Sequence, residues 1–230
     1  MQAVRSVSAS VEVWAGEVGP HNGGTNTGGQ VPNCAGNRVC GRFGSTLWYA
    51  DSMSLKAKAG YAAYCRQDFV GADYALLNYT SLSPSPDYYL LLLWKRLLGT
   101  RVLSVQQPAA PTTRAYAFCA APGAAQSFAG ANASVAALVL VNLQQDSPAC
   151  YAAPAAAAQG AAMAVYALTP GAGGAESAHA LLNGRLLELD AGGRLPQLPA
   201  SIVPASAGIT LPPMSVSIVL LPLQDASACA

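Results

Sequence analysis

The sequence predicts an α/β segment followed by an all-β one, and three observations carry that prediction. A short alternating run, Val11-Glu12-Val13-Trp14, leads through Ala15-Gly16 to Glu17 and then to the glycine-rich stretch Gly19-Pro20-His21-Asn22-Gly23-Gly24. Two stretches with apolar residues near helical spacing follow, at Phe43–Ala59 and Asp87–Leu98. Beyond residue 100 the helical period gives way to short β-rich runs separated by Pro, Gly and Ala.

Residues 11–17 read as a buried strand, and residues 18–42 as a polar loop in which Cys34 and Cys40 are spaced for a local disulfide. The first helix presents Phe43, Leu47, Ala50, Met53 and Leu55 on one side, and Gly60 suits its stop. A second strand, Tyr61-Ala62-Ala63-Tyr64-Cys65, ends in polar Arg66-Gln67-Asp68. Pro84 and Pro86 break the chain before the second helix, with Asp87 as the expected N-cap and Gly99 as the stop. Six further strands are expected at Arg101–Val105, Arg114–Cys119, Val135–Leu143, Ala162–Leu168, Leu181–Leu189 and Met214–Leu221. Strands at this spacing imply a β-sandwich. Trp48, Tyr49, Tyr88 and Trp94 recur at core-like helical positions and read as packing.

Composition narrows the function. Lys plus Arg number 12 against 11 Asp plus Glu, and no basic stripe exists, so nucleic acid is not an expected partner. Charged residues make up 10% of the chain, well below the usual quarter or so. No run reaches the roughly 18–20 apolar residues of a membrane span. The start Met1-Gln2-Ala3-Val4-Arg5 has no signal-peptide core, whereas Asn78-Tyr79-Thr80 and Asn132-Ala133-Ser134 are glycosylation sequons. Together with six cysteines, the sequons lean towards the secretory pathway, and a chain lacking its true N-terminus would reconcile the two signs.

A carboxylate at a strand end, followed at once by a flexible loop, is how a (β/α)-barrel presents a catalytic acid. Glycoside hydrolysis uses such carboxylates in pairs. Only two βα units precede the β-rich part, however, and a barrel needs eight.

The chain resembles the C-terminal portion of family 79 glycoside hydrolases, the heparanases and plant heparanase-like β-glucuronidases. The matching segments are Val13–Glu17, Leu47-Trp48-Tyr49-Ala50-Asp51, the block from Tyr64 to Asn78, Pro86-Asp87-Tyr88-Tyr89 with Leu92 to Leu103, Leu182-Asn183-Gly184, and Leu211-Pro212 through Ala230. The resemblance implies the last two βα units of a (β/α)8 TIM barrel over residues 1–99, then a C-terminal β-sandwich over 100–230 that also takes in chain from the N-terminal side. Strands 1 to 6 and the acid/base carboxylate would lie outside this sequence, in a missing N-terminal half.

By the same resemblance Glu17 matches the nucleophile, which would attack the anomeric carbon about 5–5.5 Å from the acid/base carboxyl. Without the resemblance it is a surface Glu ending a strand. Gly23 and Gly24 fall where the family places amides around the uronate carboxylate, with Asn22 where heparanases have Tyr; the alternative is a plain loop. Tyr74 matches a Tyr lining the uronate subsite and could instead be a packed aromatic, while Ala72 stands where the family has Gly. Arg66 and Gln67 would either support this subsite or belong to a buried Arg–carboxylate pair. His21 could tune Glu17 or be a solvated loop residue, and His179 reads as surface.

Cys119 and Cys229 match the heparanase cysteines that pair across the sandwich, which leaves Cys65 and Cys150 unpaired. No metal site and no cofactor are implied. The expected partner is a glycan containing glucuronic acid, and the expected location is extracellular, cell-wall or lysosomal–vacuolar. Three products fit this sequence: half of a retaining β-glucuronidase, inactive alone; a non-catalytic carbohydrate-binding or interaction module; or a truncated gene product.

Overall fold

The computed structural model describes residues 6, 8, 10–20 and 38–229. Strand β1 (Trp14–Val18) pairs in parallel with β2 (Ala63–Arg66), and helix α1 (Phe43–Lys58) makes the crossover between them. Helix α2 (Pro86–Leu97) follows β2. The strand–helix–strand–helix order expected of residues 11–98 is therefore present.

Several boundaries differ from the sequence reading: the first strand is Trp14–Val18 rather than 11–17 and has only Ala15 buried, and the second is Ala63–Arg66. Ser85, in extended conformation, is the N-cap of α2, and Asp87 lies inside the first turn at 1% exposure. Gly99 does not end the helix; α2 runs directly into strand β3 (Leu98–Leu103), with Leu98 already extended. A Cβ on Gly99 would stand 3.0 Å from the Cys119 carbonyl oxygen, so the glycine serves close strand approach rather than helix termination.

The remaining chain forms an eight-stranded antiparallel sheet with the order β3-β4-β5-β12-β7-β8-β9, and β10 pairing to β7. Its members are β4 (Thr113–Ala120), β5 (Val135–Asn142), β7 (Ala162–Pro170), β8 (Ala180–Leu182), β9 (Arg185–Leu186), β10 (Ser201–Pro204) and β12 (Ser215–Pro222). The expected single strand Leu181–Leu189 is thus the hairpin β8–β9. Asn183 and Gly184 turn it with φ of 49° and 81°, the pairing that a two-residue hairpin loop demands. Helix α3 (Pro122–Ala129), with proline at its start, was not read from the sequence.

All eight residues of β5 are buried, because the strand has a core on each face. Val139 and Val141, with Val216, Ile218 and Leu220 of β12, pack against Phe43, Leu47 and Ala50 of α1 and Leu90 and Leu93 of α2. On the opposite face Leu138, Leu140 and Leu221 meet Tyr151, Ile209 and Leu211. Those last residues come from β6 (Ala149–Tyr151) and β11 (Ile209–Leu211), a two-stranded antiparallel sheet. The second β layer is this short ribbon among the described residues. The helices of the α/β part and the large sheet share one core.

Polar links pin the layers at chosen points. The Tyr116 hydroxyl donates to Asp51 Oδ1 on α1 at 2.5 Å, and burial together with that carboxylate pushes the phenol far above its ordinary pKa. Buried Asn142 Nδ2 donates to the Leu211 and Pro212 carbonyls at 3.3 and 2.9 Å, tying β5 to the chain before β12. Cys119 on β4 and Cys229 form a disulfide with a Cα separation of 5.4 Å across 110 residues of sequence. Cys65 and Cys150 are free and exposed.

Closing a loop of that length restricts the unfolded chain, so Cys229→Ser should lower unfolding stability by about 2–5 kcal/mol. Denaturant titration of the oxidised variant and wild type checks this; coincident curves would show that the tail bond carries no stability.

Candidate active site

Glu17 reaches its position through an irregularity in β1. Trp14 pairs with Ala63 and Ala15 with Tyr64, but the next partner of Arg66 is Val18, so Gly16 and Glu17 together oppose Cys65. Such a bulge re-aims the side chains beyond it. Ala15 and Val18 share the side of Tyr64 and Arg66, which faces α1, where the Tyr64 hydroxyl donates to Ser52 at 3.1 Å. Glu17, next to Val18, turns to the other side and is exposed there, as are Trp14 and Cys65.

The loop after β2 carries Ala72 and Tyr74, both buried and packed against Cys40. Burial pushes the Tyr74 phenol up, and the carboxylates of Asp68, Asp73 and Glu17 push it the same way against the pull of Arg66. Glu17 and the Tyr74 loop therefore lie within electrostatic reach of each other. Gly41, at φ 66°, brings the turn at residues 38–41 onto this loop; an added Cβ would sit 2.2 Å from the Asp73 carbonyl oxygen. Only glycine combines that backbone angle with that approach.

The loop is anchored from below by Arg66. Its Nη2 donates to the Tyr74 carbonyl at 2.8 Å and to Asp87 Oδ2 at 2.9 Å. The other carboxylate oxygen of Asp87 accepts from Thr46 Oγ1 at 2.9 Å and Ser45 Oγ at 3.4 Å. The side chains of Arg66 and Asp87 are 4% and 2% exposed. Burial raises the Asp87 carboxyl, and the guanidinium and hydroxyl donors oppose that shift. The guanidinium carbon lies 5.3–5.9 Å from the ring centres of Trp48, Tyr49 and Tyr74. Of the two readings left open for Arg66, the buried ion pair is present, and through the Tyr74 carbonyl it also supports the loop.

A polar cleft of about 1010 Å³ opens beside this loop, between Ala72 and Asp73 on one wall and His179 and Glu188 on the other. Arg38 and Glu176 form an ion pair at its edge at 2.6 Å. Asn22, Gly23, Gly24, His21 and Cys34 lie outside the described residues; Cys40 is disulfide-bonded. Asn78 and Asn132 are both exposed. The Asn78 side-chain oxygen accepts from the Thr80 and Ser81 amides, and the Ser134 hydroxyl of the second sequon is buried and accepts from the Cys229 amide at 3.0 Å.

Sequence reasoning missed Ser45 and Thr46 altogether and misassigned Asp87. The available signal was an acid followed by the apolar run Tyr88–Trp94 and an arginine directly after the apolar stretch Tyr61–Cys65, positions that favour mutual burial over capping.

Among solved structures, an α-L-arabinofuranosidase from Thermotoga maritima superposes on 97% of this chain and 45% of its own, with a TM-score of 0.59 and 12% identity. CelM2, a bifunctional glucanase-xylanase from a metagenome library, superposes on 97% of this chain and 33% of its own, with a TM-score of 0.52 and 15% identity. The fold is thus shared with part of TIM-barrel glycoside hydrolases.

No protein-family model matches the chain. Its sequence is nevertheless related over most of its length to heparanase-like proteins and a β-glucuronidase of glycoside hydrolase family 79. It is 32% identical to heparanase-like protein 1 of Arabidopsis thaliana, over 94% of this chain and 42% of that protein. It is 30% identical to baicalin-beta-D-glucuronidase of Scutellaria baicalensis, over 91% and 36%, and 26% identical to heparanase of Mus musculus, over 100% and 40%. The chain spans about two-fifths of the length of these relatives.

Removing one partner of the buried pair should be severe. Arg66→Met leaves Asp87 buried without its counter-charge and should cost about 3–5 kcal/mol of stability. Thr46→Val, which removes a single donor, should cost roughly 1–2 kcal/mol. Chemical unfolding of both variants tests the ranking; equal small losses would mean that solvent reaches Asp87.

Proposed function

We propose that this chain is the part of a retaining, heparanase-like β-glucuronidase that supplies the nucleophile Glu17. The observation that supports this reading most is the bulge that turns Glu17 away from α1, beside the Tyr74 loop and at the C-terminal end of a parallel strand. The carboxylate attacks the anomeric carbon and forms a glycosyl-enzyme, which water then hydrolyses. The acid/base carboxyl comes from the six βα units that complete the barrel. Amides of Gly23 and Gly24, with Asn22, Ala72 and Tyr74, hold the uronate. The substrate is a β-linked glucuronide of a polysaccharide or glycoconjugate.

Two surface features support a missing half as the partner. The face of β1 that carries Glu17 is bare among the described residues, with Trp14 61% exposed. On the far side of the large sheet an apolar groove of about 910 Å³, bordered by Leu103, Val105, Leu138, Tyr151 and Leu221, leaves room to extend the β6–β11 layer into a full sandwich. The disulfide and the exposed sequon residues Asn78 and Asn132 suit a secretory route to an extracellular, cell-wall or lysosomal–vacuolar destination. No helix among the described residues is long and apolar enough to cross a membrane.

In the polypeptide as its source makes it, Glu17→Gln should lower turnover of a chromogenic β-glucuronide by about a thousandfold or more. A 2-fluoro glucuronide inactivator should label the wild type at Glu17, located by peptide mass. The 230-residue chain alone should show no turnover. Full activity in the Gln variant, or label on another residue, sinks the assignment.

A further inference from the structure

We propose that Arg66 is a positioning residue, which through its pair with Asp87 sets the backbone of residues 72–74 relative to Glu17. The inference rests on the proposed function and names a part of the site that substrate never touches. Its basis is the unusual convergence at one nitrogen: Arg66 Nη2 donates both to the Tyr74 carbonyl and to Asp87. Asp87 in turn is held by Thr46 at 2.9 Å, while the single Ser45 hydroxyl proton goes to the Arg42 carbonyl at 2.7 Å and only approaches Asp87 at 3.4 Å. One ion pair thus connects the end of β2, the Tyr74 loop, and the starts of α1 and α2.

Both bonds leave a single nitrogen. Among the described residues Nε and Nη1 have no hydrogen-bond partner, and the guanidinium lies among the rings of Trp48, Tyr49 and Tyr74. A lysine ammonium has protons enough for both acceptors, but it offers no flat face to the three rings and its side chain is shorter, so it should hold the Tyr74 carbonyl less well. The loop's other backbone bonds include Ala75 N–H to Ala72, Leu76 N–H to Asp68 and Leu77 N–H to Phe69, and the Leu76 carbonyl accepts from Ser85 N–H at the start of α2. Gly41 packs closely on the Asp73 carbonyl, and the Tyr74 carbonyl is held by Arg66, so the backbone of residues 73–74 is fixed at both carbonyls. A displacement of about 1 Å at such a contact is enough to change substrate handling strongly.

The test uses Arg66→Lys in the polypeptide as its source makes it, with Thr46→Val as a milder second variant and Tyr116→Phe as a control. The control removes a link between α1 and β4, away from the loop. Amide hydrogen exchange at residues 75–77 and the kcat and KM for a chromogenic β-glucuronide are measured for each. Arg66→Lys should speed exchange of those amides about tenfold and raise KM about tenfold, with kcat changed less than about threefold. Thr46→Val should move both in the same direction by a smaller factor, and Tyr116→Phe should leave KM at the wild-type value.

Wild-type exchange and KM in both Arg66→Lys and Thr46→Val overturn the proposal, as does an equal KM rise in Tyr116→Phe, which would mark general destabilisation. If Arg66→Lys fails to fold, Thr46→Val decides by the same criteria. A wild-type polypeptide that turns over no glucuronide overturns the proposed function instead. Loop exchange then still separates a clamp from its absence.

Discussion

The ion pair between Arg66 and Asp87 is the constraint on which the rest of the α/β part depends. Taking both charges out of water costs several kcal/mol each, and their attraction alone does not guarantee its recovery. Here the balance is helped from four directions. Asp87 sits in the first turn of α2 and accepts from Thr46 in the first turn of α1, with the Ser45 hydroxyl oxygen 3.4 Å away, so the positive ends of two helices bear on one carboxylate. Arg66 is faced by three aromatic rings, whose quadrupoles favour a cation that has lost its hydration. An apolar pair of the same volume could fill the space. It could not fix the angle between two helix starts and a strand end.

The same logic explains why no linker separates the α/β part from the sheet. Helix α2 becomes β3 between Leu97 and Leu98, and its Leu90 and Leu93 enter the core formed by β5 and β12. Two parallel strands and their helices have too little apolar surface to bury both helix faces alone. The large sheet supplies the missing surface, with Val139, Val141 and Ile218 fully buried beneath the helices. The polar cleft at this junction therefore has walls held by a common core rather than by two bodies free to rotate.

How much of this was legible in the sequence depended on the length of the signal. The long runs 43–59 and 135–143 declared a helix and a strand without help, but that β5 is buried on both faces was visible only in the structure. Three-residue β6 and β11 lie in Ala- and Pro-rich chain, where their pairing is set by the sheet beneath them and not by their own residues. Helix α3 was legible in principle, since Pro122 opens it and Gly130 closes it. Its alanines offered no polar face to mark the period. Asp87 shows the deeper limit. An acid after Ser-Pro at a helix start reads as a cap, and only the distant Arg66, 21 residues earlier, makes it a buried ion-pair partner instead.

Glu17 presents the same difficulty in another form. Strict alternation from Ala15 would place it on the helix side, buried with Tyr64 and Arg66; the bulge against Cys65 reverses that outcome. Once turned, it joins Asp68 and Asp73 in an acidic field felt by Tyr74. That field constrains how the proposed uronate can be held. Arg66, the cation acting on Tyr74 among the described residues, is already engaged by Asp87. Backbone amides held in a fixed array are donors able to meet an anion at close range without a cation. An amide array works only if its loop cannot drift, because each donor contributes through its distance and angle. On the proposed reading, a charge that does not serve the substrate directly holds still a backbone that would.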